Sequence, residues 1–236
     1  MNYFNAAEKI DFDYSVKRIP GRRTISIQVD SGWVVVRAPA RMQDKQIRAF
    51  VESKSGWVRR KQAEARQRDA QRPRHLYLEG EMFPFQGSNF RLTMVNSPGR
   101  GSISIKGDRL ILQVREGTKP EKIPAILKKW YIELARAAFL ERVSFYSAVL
   151  GVAPASISVR SQKSRWGSCS SGGNISLNWK LVTAPPEILD YVVAHELCHL
   201  KHRNHKPAFW DDLGKVMPDF QARRKWLREN GHKLGL

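Results

Sequence analysis

Long apolar runs are missing from this 236-residue chain: no stretch approaches the ~20 residues that a helix needs to cross a bilayer, which points away from a helical membrane protein. Cysteine is scarce. Cys169 and Cys198 are the two present, too few for a disulfide scaffold or a closed cysteine-rich zinc site, and they fit a reduced cytosol. The first residues, Met1 to Asn5, lack a basic segment running into an apolar one, so no secretory leader is read and a soluble, cytoplasmic protein is expected. No Walker-type GxxxxGK[ST] loop, zinc-finger spacing or RNP motif occurs, and there is no internal repeat or long low-complexity segment. Acidic residues are outnumbered, 22 against 41 Lys and Arg, giving a net charge of +19 that attracts polyanions or simply coats a solvated surface. Hydrophobic residues at 42% and aromatics at 10% argue for a packed core rather than disorder.

What is present is concentrated at His195-Glu196-Leu197-Cys198-His199, with His205 six residues on. Two histidines four apart on a helix share a face, so both imidazoles can reach one metal ion while Glu196 stands beside them to activate a water. Residues 186–202 read as a helix opened by Pro185-Pro186, with Leu189, Val193, Leu197 and Leu200 as an apolar stripe and the histidines on the other side. The third ligand comes from His202 or His205. His202, kept on the helix, lies about 10 Å along the axis from His195, too far for three rings to converge. His205 is free to return if the helix ends first, and Asn204 tolerates the left-handed turn that would end it. His195, His199 and His205 are therefore the expected zinc ligands, leaving a fourth position open as catalytic sites require. The spacing equals that of HExxHxxGxxH proteases, but His202 stands at their glycine.

The motifs around this helix resemble those of the YgjP-like metal-dependent hydrolases, related to the SprT-like and WLM zinc metallopeptidases. The residues that carry the likeness are Ser164-Arg165-Trp166-Gly167-Ser168-Cys169, Asn174-Ile175-Ser176-Leu177-Asn178-Trp179, Tyr191 through Leu200, Asn204-His205 and Phe209-Trp210. The resemblance implies a zincin-type catalytic module with zinc on the three histidines and Glu196 as catalytic carboxylate. It also implies that the 175–179 strand borders the cleft and receives an extended peptide along a free edge. Arg165, with Lys163 and Ser164 behind it, either meets developing negative charge or pairs structurally with a carboxylate, while Trp166 fills core. Phe209 and Trp210 read as packing that fastens the His205 loop, and Met217-Pro218 as an ordinary helix end.

The organisation expected is α+β: a β-rich N-terminal part with one long helix over 1–118, then a zincin-like module over 119–236. Residues 24–36 alternate as a hairpin about Asp30-Ser31-Gly32, and 44–68 read as one helix running into arginine-rich sequence. Strands at 102–105 and 110–112 precede a helix whose N-terminus, Thr118-Lys119-Pro120-Glu121, has the capping-box pattern, with Trp130 and Tyr131 as core. Three functions compete. The first is a zinc metallopeptidase with a peptide or protein substrate and Glu196 as general base. The second is a nucleoside triphosphate (UTP-like) pyrophosphatase using the same metal with Lys163 and Arg165 on the phosphates. The third is a basic nucleic-acid-binding protein with a structural metal site, its charge concentrated in 59–74.

Overall fold

The computed structural model describes residues 10–30, 32–99, 101–162 and 164–236. Met1 to Asn5, Ser31 of the expected turn and Lys163 of the expected charge-handling group lie outside the described residues. The chain forms two compact units, divided between Arg72 and Pro73.

In the first unit, β1 (Tyr14–Ile19), β2 (Ser26–Asp30) and β3 (Trp33–Pro39) make a sheet of order β1-β3-β2. The hairpin is present, with Asp30 opposite Trp33 and Val29 opposite Val34. Alternation along β3 buries Val34, Val36 and Ala38, and Val36 and Ala38 pack with Ile47 and Val51, one turn apart on the following helix. The single helix expected over 44–68 is two, α1 (Asp44–Ser53) and α2 (Ser55–Ala70), interrupted at Lys54. The Ser53 hydroxyl donates to the Phe50 carbonyl at 2.8 Å, a local bond that competes with continuation of the helix.

The second unit opens with β4 (Met82–Phe85), β5 (Ser88–Asn96), β6 (Ile103–Lys106) and β7 (Arg109–Val114), ordered β4-β5-β7-β6. Next comes α3 (Ile123–Leu150), entered through a 3-10 turn at Pro120–Lys122 instead of a capping box; the Thr118 hydroxyl donates back to Arg115 O. The ring of Pro124 gives up its N–H within the first helical turn, where no partner is needed. The helix ends at Gly151, whose left-handed backbone (φ +62°) lets Val152 N–H reach the Ser147 carbonyl.

A second sheet follows, β8 (Ser156–Arg160), β9 (Gly167–Cys169) and β10 (Asn174–Asn178), ordered β8-β10-β9. Then come α4 (Pro186–Cys198), α5 (Pro207–Val216) and α6 (Phe220–Asn230). Helix α3 serves two cores. Ile123 and Leu127 pack with Phe83, Leu92, Leu110 and Leu112, while Tyr131, Ala135, Phe139 and Val143 continue the i, i+4 stripe into the core around Ile175, Leu177, Val193 and Leu197. The compact units divide ahead of β4, and within the second unit the four-stranded sheet shares this helix with the core around α4. No helix among the described residues is long and apolar enough to cross a membrane.

Candidate metal centre

Helix α4 is buried almost all round. Ile188, Leu189, Tyr191, Val192, Val193, Ala194, Leu197 and Cys198 are all core, so the helix is the centre of the unit and not the one-sided stripe read from sequence. It ends at Cys198, four residues short of expectation, because the chain tightens into i→i−3 bonds from Leu200 N–H to Leu197 O and from Lys201 N–H to Cys198 O. His202 is thus off the helix. The turn back is not a left-handed Asn204. Asn204 instead accepts the Lys206 N–H on its side-chain oxygen at 3.2 Å, just before Pro207 starts α5.

This turn brings His205 over the helix end. One ring nitrogen from each of His195, His199 and His205 lies within 4.8 Å of the others. The Nε2 atoms of His195 and His205 are 3.1 Å apart. Ligands of a tetrahedral zinc ion with ~2.1 Å bonds sit about 3.4 Å apart, so the cluster has the right size for such an ion. The His199 Nδ1 lies 2.9 Å from the His202 carbonyl; a carbonyl only accepts, so Nδ1 carries the hydrogen and Nε2 keeps its lone pair. Burial, helped by His199 and His205, pushes the His195 imidazole down to about 3, and burial and His199 also lower His205. Both shifts favour the uncharged imidazole, the form that binds a metal. The donor set fits a metal ion.

Beneath the rings lies Phe209, fully buried, with ring centroids 4.9 Å from His195 and 4.7 Å from both His199 and His205. Trp210 stacks on His205 at 5.4 Å and donates its indole N–H to the His205 carbonyl at 3.0 Å. Both act as the sequence suggested, fastening the loop. His202 uses its own Nε2 on Asp212 Oδ2 at 2.8 Å, tying the loop to α5. Met217 closes α5 as a buried core residue.

Glu196 is buried, and burial pushes its carboxyl up to about 7 against the opposing pull of Arg165. It leans on Gly167 of β9, where a Cβ would stand 2.5 Å from Glu196 Oε1 and 2.6 Å from its Cγ. Only a residue without a side chain leaves room for this carboxylate. Arg165 is exposed, has no carboxylate partner among the described residues, and acts on Glu196. Buried Asn178 fixes the loop that carries it, its side-chain N–H groups donating to the Gln162 and Arg165 carbonyls at 2.8 and 3.2 Å and its backbone N–H to Trp166 O at 2.8 Å. Trp166 itself packs over Gly231 and against the core.

The strand role implied by resemblance needs correcting. β10 is the middle strand, paired parallel to β8 on one side and antiparallel to β9 on the other, so it has no free edge. The edge strand beside Glu196 is β9. Gly167, Asn178 and Phe209 lie within motifs legible in the sequence, yet their roles depend on neighbours far along the chain.

An α+β unit whose central helix sets two imidazoles and a carboxylate against a returning third imidazole has the make-up of a metal-dependent hydrolase. Comparison with known proteins gives the family. Residues 23–230 match the metallopeptidase domain described as YgjP-like, and the chain belongs to that family. Among solved structures it is similar to the metallopeptidase zymogen of Pyrococcus abyssi abylysin, at 21% identity with a TM-score of 0.37, over 41% of this chain and 99% of that one. No curated protein matches the chain.

Proposed function

We propose that this protein is a zinc-dependent peptidase, with zinc held by His195, His199 and His205 and Glu196 as general base. The observation that carries the reading is the convergence of the three ring nitrogens beside a buried carboxylate that a glycine makes room for. Zinc, when bound, supplies a Lewis acid that acidifies water and polarises a carbonyl. Glu196 takes the proton of the attacking water and passes it to the leaving amine. Arg165, without a carboxylate partner among the described residues and acting on Glu196, faces the negative charge that grows on the carbonyl oxygen. An extended peptide lies along β9, whose outer edge is not used by β10, and its backbone hydrogen bonds set the scissile bond beside Glu196. Both cysteines are free, which suits a reducing, cytoplasmic setting.

Elemental analysis of protein purified without a metal-affinity tag tests the centre: about one zinc per chain is expected, lost in His205→Ala and kept in Glu196→Gln. Glu196→Gln should lower peptide turnover by about 10²–10⁴-fold. A Glu196→Gln protein of undiminished activity refutes the base assignment. The exposed Arg165 beside Glu196 and the charge of +19 favour a second reading, triphosphate hydrolysis at the same centre. Pyrophosphate release from a triphosphate panel, run beside casein cleavage, separates the two.

A further inference from the structure

Helix α6 carries two successive arginines in different situations. Arg223 is committed to the fold, pairing with Asp219 at 2.8 Å and donating to the Glu187 carbonyl at 3.0 Å. Arg224 has no carboxylate partner among the described residues and is exposed. Its guanidinium is not loose, however: Cζ lies 4.9 Å from the centroid of the Trp210 ring. Trp210 is itself fixed, stacked on Phe220 at 5.4 Å and on His205 at 5.4 Å. The guanidinium therefore stands beside an indole that is itself stacked on a candidate metal ligand. Arg165 acts on Glu196. Among the described residues neither Arg165 nor Arg224 has a carboxylate partner.

A guanidinium held by a cation–π contact to an indole has already lost some of its rotamer freedom and still carries N–H donors that the ring does not use. Its N–H fork matches a carboxylate in bidentate geometry. Resting on the peptidase reading above, we propose that Arg224 is a substrate-binding residue that reads a carboxylate, so that the enzyme prefers peptides with Asp or Glu close to the scissile bond. Successive peptide residues are ~3.3 Å apart, so an acidic side chain one or two positions from the reacting carbonyl spans the width of the indole. Arg165 is left to the reacting carbonyl while Arg224 selects the neighbouring side chain.

The test uses quenched fluorescent peptides in pairs that differ only by Asp against Asn, or Glu against Gln, at the two positions on each side of the cleaved bond. Wild-type protein should favour the acidic member by about tenfold in kcat/KM, carried by KM, the size of one charge-assisted bidentate contact at an exposed site. Arg224→Ala should close the gap, Arg224→Lys should restore part of it, and Lys225→Ala, exposed on the same helix, should leave it intact. The same pairs are titrated calorimetrically into Glu196→Gln protein, where binding is read without turnover. Equal cleavage and equal binding of acidic and amide peptides overturns the inference while the peptidase reading stands. A gap that survives Arg224→Ala also overturns it. If no peptide is cleaved but the binding gap exists and vanishes with Arg224→Ala, the carboxylate site stands and the peptidase reading falls.

Discussion

Gly167 carries no side chain, and that is its contribution to the candidate centre. A methyl group there would overlap the Cγ and carboxyl of Glu196, which sits in the core and has little room to retreat. Gly167→Ala should therefore shift the carboxylate and lower turnover by about 10²-fold, the cost of misplacing a catalytic group by roughly 1 Å. Zinc content should be unchanged, because no histidine is touched. Loss of zinc together with activity would mean that the substitution disturbs α4 as a whole. A second residue-scale case lies at the start of the same unit. Glu81 Oε1 takes His75 Nδ1 at 2.8 Å and the Leu76 N–H at 3.1 Å, and Oε2 takes the Leu78 N–H at 3.1 Å. Burial raises its pKa, but the Leu78 N–H, His75 and the Leu76 N–H outweigh burial, and the net shift is downward from 4.5. A lowered carboxyl stabilises the fold when ionised, so its contribution is complete above pH 4.5 and fades as pH falls through the lower folded value. Glu81→Gln should cost about 1 kcal/mol at neutral pH, with the difference from wild type shrinking below that window. Urea melts at pH 7 and pH 3.5 check it; an equal loss at both would assign the effect to packing.

At the scale of elements, the imidazole pair was readable because His195 and His199 are one helical turn apart, a relation fixed by local geometry. His205 was reached by excluding a His202 kept on the helix, a premise the structure does not keep: the helix ends at Cys198, and His202 is turned aside onto Asp212. What stayed hidden is set by distant contacts. The helix stops at Cys198 because its last turn tightens and the His202 carbonyl takes up the His199 ring, which no propensity records. The middle position of β10 follows from pairing with β8 and β9, and alternation in one strand cannot tell an edge from a centre. The long helix at 44–68 divides at a serine-flanked lysine that the periodicity passes over. The loop between α4 and α5 also yields a prediction. His202 ties it to Asp212, and its backbone orients His199. His202→Ala keeps the carbonyl but frees the loop, so zinc affinity should fall by about 10–100-fold, as for other outer partners of metal-binding histidines. Competition with a chromophoric chelator measures it. An unchanged affinity would leave Phe209 and Trp210 as sufficient fasteners.

On the scale of the whole molecule, the division at Arg72 and Pro73 separates structure by purpose. Every residue of the candidate centre, from Arg165 to Arg224, belongs to the second unit. So does the four-stranded sheet, which shares α3 with the core behind α4. The 118/119 boundary would expose Ile123 and Leu127 by removing Phe83, Leu92, Leu110 and Leu112 from them. Burying side chains of this size is worth about 1.5–3 kcal/mol each, so losing two such burials removes much of a domain's net stability of 5–15 kcal/mol. A fragment of residues 73–236 should consequently melt cooperatively and bind about one zinc, whereas 119–236 should not fold unaided. Thermal unfolding followed by circular dichroism, with zinc content measured on both fragments, decides the matter. A cooperative 119–236 fragment that binds zinc would show that the sheet is an appendage to the catalytic fold. A 73–236 fragment that aggregates would instead make the first unit, with its own core of Val36, Ala38, Ile47 and Val51, a requirement for folding the second.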